Sequence, residues 1–328
     1  MILSRTPLRI CIAGGGTDLP SFYEKHSGLV LSMAIDKHIY ISYKPDDFEN
    51  LLKLRYSQLE VVDDVFKLKN HRARAVLVKH GILTGCEINS GADIPSNTGL
   101  GSSGSFLVGL INCVRAMKGL THTPDVLGEE ACKIEIEELK EPVGKQDQYI
   151  ASYGGLRHFD IDVTGNVNVK NITLGTPEYL FTQNLCVYYL NIKRDASDIL
   201  QEQQKLQGNT ADLLGIIKEQ AISTLSFLKR GEYDAYGKQL DDYWTIKKQL
   251  SSKISLPIVD QLYDHVKKEY GVLGGKVIGA GGGGFILFYC PLDKQRELNT
   301  FMKVQGFPRL DFEIDHEGST ILGNFLKK

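Results

Sequence analysis

Long apolar runs are missing from this sequence. No stretch of its 328 residues approaches the roughly 20 consecutive apolar residues of a membrane span, which argues against a spanning helix. The segment Met1 to Gly16 has no apolar core behind its basic residues, which argues against a secretory leader. Charge of one sign is lacking too. With 38 Lys and Arg against 40 Asp and Glu the formal net charge is −2, and nothing points to nucleic acid or an acidic membrane surface as a partner. The 6 cysteines (Cys11, Cys86, Cys113, Cys132, Cys186 and Cys290) have no C-x-x-C spacing and lie mostly in apolar surroundings. They read as buried free thiols in a reducing cytoplasm. Internal repeats and low-complexity segments are absent. Tryptophan occurs once, as Trp244, on a helix-patterned segment with Leu240, Ile246 and Lys247, where core packing is its default role. The length predicts about two domains.

Glycine, by contrast, is clustered. Its most informative cluster is Pro95-Ser-Asn-Thr-Gly-Leu-Gly-Ser-Ser-Gly-Ser105. Phe106, Leu107, Leu110, Ile111, Val114 and Met117 follow at spacings of three and four, which predicts a helix, with Ser102 or Ser103 as its natural N-cap. A helix N-terminus leaves backbone N–H groups unpaired and attracts anions. Gly99 and Gly101 lack side chains where a phosphate would approach the backbone, and Ser102 and Ser103 offer hydroxyls to a phosphate oxygen or to Mg²⁺. The plain alternative is a glycine turn before a helix. A P-loop requires a lysine before the Ser/Thr, and here Ser102 follows Gly101 directly. A dinucleotide fingerprint requires a buried strand running into the glycines and a second strand after the helix. Here Cys86–Ile94 is half polar, Pro95 to Thr98 intervene, and no strand follows Gly119.

Two other stretches present carboxylates on turns. Leu3–Ala13 is strand-like and runs into Gly14-Gly-Gly-Thr-Asp-Leu-Pro20. There Asp18 either caps a helix at Phe22–Lys25 or faces a ligand. Farther on, a helix from Pro124 to about Leu139 stops at Glu141-Pro-Val-Gly144, and Lys145-Gln-Asp-Gln-Tyr149 follows. There Asp147 is either an N-cap or a carboxylate aimed at substrate. Gly28 to Tyr43 reads as two strands joined near Asp36-Lys37-His38, and Arg72 to Gly81 as a helix. From about Asn184 a strand Leu185–Leu190 precedes helical patterns at Ile199–Leu206, Ala211–Lys229, Tyr233–Leu250 and Leu256–Tyr270. A glycine loop at Lys276–Phe285, a strand Phe285–Cys290, a helix Leu292–Val304 and a strand Leu310–Ile314 complete the chain.

The pattern Pro-x-x-x-Gly-Leu-Gly-Ser-Ser-Gly resembles the central phosphate-binding motif of the GHMP kinases, which phosphorylate galactose, homoserine, mevalonate, phosphomevalonate and related alcohols. Arg5-Thr-Pro-Leu-Arg-Ile10 is similar to the family's N-terminal motif, and Ile278-Gly-Ala-Gly-Gly-Gly-Gly284 to its third, so the likeness covers nearly the whole chain. It implies an α+β, two-domain GHMP kinase fold: a ribosomal-S5-like α/β domain at 1–183 and a ferredoxin-like α+β domain at 184–328. It implies ATP and Mg²⁺ as cofactors, no nucleic acid, no membrane, and a cytoplasmic enzyme, with a homo-oligomer left open. By this resemblance Pro95, Gly99, Leu100, Gly101, Ser102, Ser103, Gly104 and Ser105 bind ATP. Ser103 and Glu135 hold Mg²⁺, with Glu138 in reserve. Asp147 is the base and Arg9 points at the transferred phosphoryl group; Lys145, two residues from Asp147, would help keep it ionised where the two side chains come together. Gly15, Gly16, Thr17, Asp18, Gly281 and Gly282 meet the sugar. Where the family carries Pro-Gly-Arg, this chain has Pro7-Leu8-Arg9. Within the family, Ala13-Gly-Gly-Gly-Thr-Asp-Leu-Pro20 and Glu141-Pro-Val-Gly-Lys-Gln-Asp-Gln-Tyr149 look like the D-glycero-D-manno-heptose 7-phosphate kinases, which phosphorylate the anomeric hydroxyl. L-fucose kinases share part of these signatures. A non-catalytic sugar sensor is the other class, but this chain keeps Asp147, Ser103 and Arg9. An acceptor phosphate needs cations outside the ATP motifs, and Lys37-His38, Arg72, Arg74 and Lys193-Arg194 are the candidates.

Overall fold

The apolar residues of the first 45 positions form two long antiparallel strands, β1 (Ile2–Ala13) and β2 (Gly28–Pro45), linked by the short helix α1 (Pro20–His26). The structure is a computed structural model that describes residues 1–192 and 209–326. Lys193-Arg194 and the helical pattern at Ile199–Leu206 lie outside the described residues.

β2 is one strand, not the hairpin expected at Asp36-Lys37-His38. Pro7 pairs with His38 and Leu8 with Ile35, so Asp36 and Lys37 are extra residues in a bulge. The bulge is anchored where the Asp36 N–H donates to the Glu313 carbonyl at 3.0 Å. Beyond it lie β3 (Leu52–Arg55), β4 (Leu59–Val62), α2 (His71–Lys79) and β5 (Cys86–Ala92). Then follow α3 (Ser102–Met117), α4 (Pro124–Cys132), α5 (Gln146–Tyr153), β6 (Leu156–Ile161) and β7 (Val167–Asn171). One half of β2 pairs with β6 and the other with β5, which gives an eight-stranded sheet in the order C-terminal strand (Thr320–Asn324)-β1-β2-β5-β3-β4, with β6 attached to β2 and β7 to β6. Helix α3 is buried on every side from Gly104 to Val114, as expected of a helix apolar all round, and it packs on β1, β2, α4 and α5.

The second half contributes α6 (Glu178–Thr182), β8 (Leu185–Tyr189), α7 (Thr210–Arg230), α8 (Tyr233–Lys248) and α9 (Pro257–Glu269). After them come β9 (Gly274–Val277), β10 (Phe285–Tyr289), α10 (Gln295–Val304), β11 (Arg309–Leu310) and β12 (Thr320–Asn324). Its antiparallel sheet has the order β11-β8-β10-β9, the ferredoxin-like arrangement. The expected strand Leu310–Ile314 is only β11, and Ile314 makes an isolated bridge to Ile35. The sequence reading assigns 184–328 to the second domain, but β12 crosses back and pairs with β1, whose outer edge it covers. The main apolar core runs from Ile2 through both sheets to Met302, and a second, smaller cluster gathers Cys11, Val30, Ala34, Cys132, Tyr149, Ile150 and Phe159. Among the described residues no helix is long and apolar enough to cross a membrane.

Candidate active site

A cleft of about 440 Å³ opens where the two halves meet, lined by residues from the turn after β1, the 97–103 loop, the 141–148 turn, α8 and the 279–280 loop. That volume suits a small polar ligand.

The N-termini of α3 and α5 meet at this cleft. Gly101, not a serine, is the N-cap of α3; it is left-handed at φ 78°, a conformation that glycine adopts without strain. Ser102 and Ser103 therefore occupy the first helical turn, and both line the cleft with Gly99 and Gly101. The side chains these two glycines lack would not have met a ligand, as the sequence suggested. At Gly99 the space is taken by the Ile278 carbonyl, and at Gly101 by Arg9 Cγ at 3.0 Å and Asp147 Oδ2 at 3.3 Å. Leu100 is core, and Ser105 Oγ donates to the Pro7 carbonyl at 2.7 Å. Gly104 is buried, allowing Asp147 to lie against α3, and Pro95 offers its carbonyl to Thr98 Oγ1. None of these four residues lines the cleft.

Asp147 lies in the first turn of α5 and caps nothing. Arg9 grips it in a fork: Nε donates to Oδ1 at 2.7 Å and Nη2 to Oδ2 at 2.8 Å. Arg9 Nη1 also donates to the Gly99 carbonyl, so one guanidinium ties the aspartate to the glycine loop. Lys145 does not support Asp147. Its ammonium donates to the Gly165 carbonyl at 2.6 Å and stands 3.7 Å from Glu129.

Asp18 is 2 % exposed, lines the cleft, and does not cap α1, whose N-cap is Leu19. Its oxygens accept the Gly16 and Gln146 N–H groups, each at 3.1 Å, while burial pushes the carboxyl up from the usual range. Gly15 and Gly16 line the cleft as expected. Thr17 does not: its hydroxyl is turned inward to the Gly14 and Leu29 carbonyls. Gly281 and Gly282 are displaced too. They pack on Ile254, and the cleft is lined by Gly279 and Ala280 instead.

Glu135 sits on a π-turn that extends α4, fully buried behind the cleft. Arg72 Nε donates to its Oε1 at 2.7 Å and Gln148 Nε2 to its Oε2 at 2.5 Å, and burial pushes the carboxyl up despite both. Arg72 and Gln148 line the cleft themselves. Glu138 is turned to the surface and paired with Lys79 at 2.6 Å. Among the described residues no group of three or more His, Cys, Asp and Glu side chains is placed to hold a metal by itself. Mg²⁺ needs only one or two protein oxygens beside waters and phosphates, and the Ser103 hydroxyl, which lines the cleft, fits that donor type; the Glu135 carboxylate has the right chemistry, but it does not line the cleft and its two oxygens already accept from Arg72 and Gln148.

Of the cations considered for an acceptor phosphate, only Arg72 among the described ones reaches the cleft. Lys37 pairs with Asp36, His38 with Asp315, and Arg74 with the Leu68 carbonyl. The residue missed was Lys247, 5 % exposed and lining the cleft. Its signal was present: Leu240, Trp244 and Lys247 recur at spacings of four and three, which puts a lysine on a buried stripe.

Two helix N-termini and an arginine-held carboxylate around a small cleft form the environment of an enzyme that moves a phosphoryl group to a small acceptor. Sequence models of the family bear this out: "GHMP kinases N terminal domain" matches residues 65–155 and "GHMP kinases C terminal" residues 224–303. The chain belongs to the GHMP kinases and is an ATP-dependent kinase. It is 28% identical to a D-glycero-alpha-D-manno-heptose 7-phosphate kinase of Campylobacter jejuni, over 97% of each chain. It is 25% identical to the L-fucokinase/L-fucose-1-P guanylyltransferase of Bacteroides fragilis, over 87% of this chain and 34% of that protein. A D-glycero-D-manno-heptose 1-phosphate kinase of Bacteroides thetaiotaomicron has the same fold, with a TM-score of 0.80 at 19% identity over 99% and 100% of the two chains.

Proposed function

We propose that this GHMP sugar kinase transfers the γ-phosphoryl group of ATP to the anomeric hydroxyl of D-glycero-D-manno-heptose 7-phosphate, giving the 1,7-bisphosphate. The end-to-end likeness to the Campylobacter heptose 7-phosphate kinase carries the choice of substrate. The arginine-gripped Asp147 beside two helix N-termini supports the chemistry.

The triphosphate lies against the unpaired N–H groups of the first turn of α3 and the Ser102 and Ser103 hydroxyls. Ser103, with Glu135 behind it, would hold Mg²⁺, and the bound ion would supply positive charge to the phosphate oxygens. Arg9 holds Asp147 with both carboxylate oxygens fixed, and each oxygen keeps a lone pair free for the acceptor hydroxyl. Asp147 takes the hydroxyl proton as the phosphoryl group arrives; in a loose transition state most of the catalysis is positioning and charge stabilisation. Asp18, held by two backbone N–H groups, takes hydrogen bonds from sugar hydroxyls. Six unpaired, buried thiols suit the reducing cytoplasm as the compartment.

The partial likeness to the Bacteroides fragilis fucokinase favours a second reading, a 1-kinase for an unphosphorylated sugar. ADP release measured across a panel of sugars and sugar phosphates separates the two. The first reading expects kcat/KM for heptose 7-phosphate at least ~10²-fold above that for free heptose, about 3 kcal/mol of transition-state binding. Equal or better turnover of L-fucose or free heptose refutes it and leaves the kinase intact.

A further inference from the structure

Lys247, which lines the cleft, and Lys276, buried nearby, carry ammonium groups for which no carboxylate within ion-pairing distance exists among the described residues. Lys247 Nζ donates to the Gly279 carbonyl at 2.7 Å, and Lys276 Nζ to the Ile12 carbonyl at 2.9 Å. Both residues are buried, at 5% and 1% exposure. The Tyr243 ring is near both, with its centroid 5.8 Å from the Lys247 ammonium and 4.6 Å from that of Lys276. The Tyr243 hydroxyl is buried without a hydrogen-bond partner, next to Gly15, on which a Cβ would be 3.7 Å from it.

Buried ammonium groups are normally paired, and buried hydroxyls are normally hydrogen-bonded. Each ammonium has three donors and uses one on a neutral carbonyl. The charges around Lys247 are Lys276, Arg9 and Asp18, with the Cys11 thiol. Asp147 is already gripped by Arg9, and Asp18 is turned to backbone N–H groups. With Lys247 protonated, three cations face two engaged carboxylates, and the surplus is positive. Burial, reinforced by Lys276, lowers the Lys247 ammonium to about 7, and burial lowers Lys276 as well, which are the strains an arriving anion relieves.

We propose that Lys247, backed by Lys276 and the Tyr243 hydroxyl, is the subsite for a phosphate monoester carried by the acceptor. Lys247 lines the cleft together with Asp18 and Gly15, and the Tyr243 hydroxyl lies next to Gly15. The assignment of this phosphate to the acceptor rests on the sugar-phosphate reading above, but an anion site at Lys247 does not.

The test uses inorganic phosphate as probe. It is titrated calorimetrically into wild type, Lys247→Met and Lys247→Arg, each saturated with Mg²⁺ and a non-hydrolysable ATP analogue. The expected result is saturable binding in the wild type, at least tenfold weaker in Lys247→Met and within about threefold in Lys247→Arg. The arginine variant keeps the charge and guards against a merely structural effect. Absence of phosphate binding in the wild type, equal affinity in Lys247→Met, or binding that only the nucleotide-free enzyme shows overturns the proposal. The last outcome assigns the ion to the nucleotide's phosphates. In turnover of heptose 7-phosphate, Lys247→Met is expected to raise KM at least tenfold with a smaller change in kcat. A kcat loss at unchanged KM overturns the acceptor assignment. If heptose 7-phosphate is no substrate of the wild type, the proposed function fails while the phosphate titration still decides Lys247.

Discussion

Replacing Lys247 by Met should make stability depend less steeply on pH, and the size of the effect follows from its surroundings. Burial and the neighbouring Lys276 lower the ammonium from its ordinary 10.5 to about 7. Between those values the unfolded chain binds a proton that the folded chain does not, so this group makes the protein more stable as pH rises from 7 to 10.5. Below 7 the penalty is complete. At about 1.4 kcal/mol for each tenfold difference in proton affinity it amounts to about 5 kcal/mol, and about 2–3 kcal/mol of it is relieved between about pH 6.5 and pH 9. Met fills similar space without a charge, although it forfeits the bond to the Gly279 carbonyl. That bond, between a charged donor and a carbonyl, contributes about 1.5–3 kcal/mol. Lys247→Met should therefore unfold at a higher temperature than wild type at about pH 6.5, and that advantage should shrink by about 2–3 kcal/mol at pH 9. On the order of 2 °C per kcal/mol for a chain of this size, thermal unfolding of the ligand-free proteins at the two pH values should show the gap change by about 5 °C. Taking the difference between variants removes the titrations of groups that do not interact with Lys247. A gap that stays constant, or moves the other way, would mean that folded Lys247 titrates like a solvated lysine, and the reasoning fails.

Asp147→Asn should lower kcat by roughly 10²-fold or more while single-turnover binding of Mg²⁺–ATP stays within about threefold; near-normal kcat at saturating substrates removes Asp147 as the base. Gly104→Ala tests positioning, because its new Cβ would stand 2.9 Å from Asp147 Cβ and 3.3 Å from the Gln148 amide. It should push α5 from α3 and cost about tenfold or more in kcat, with KM for ATP changing less. Unchanged kcat would show that Asp147 need not be held against α3. Ser103→Ala should raise the Mg²⁺ concentration giving half-maximal rate several-fold, and an identical Mg²⁺ dependence excludes Ser103 from the metal site.

Local structure was legible in the residues because local rules govern it. Spacings of three and four after Ser105 mark α3, and the same spacing marks α8 and α9. The stop at Gly144 and the strand-like run Leu3–Ala13 did the same for their elements. The glycine motifs identified the family, since a motif within one turn needs no knowledge of distant neighbours. The case against a spanning helix is equally local, because it depends only on the length of apolar runs along the chain.

Which distant groups meet was decided by the tertiary structure. Asp147 looked as if it had a cation two residues away in Lys145, but α5 turns that lysine toward Gly165, and the partner is Arg9 from β1. Gly281 and Gly282 match the third motif, yet the loop presents Gly279 and Ala280 because the following glycines pack on Ile254. Asp36-Lys37-His38 has the polarity of a turn, but pairing along both neighbours of β2 keeps the strand continuous and absorbs the extra residues as a bulge. The terminal strand leaves its own half to cover the edge of β1, a choice made by unpaired backbone groups and invisible in side-chain pattern. Lys247 shows the division most clearly. Its place on an apolar stripe, one turn from Tyr243, is written in the sequence, whereas its neighbours Lys276 and Asp18 come from two other parts of the chain. Periodicity reports which face of an element is buried; only the packing of the elements determines what that face meets, and with it the charge that face must accommodate.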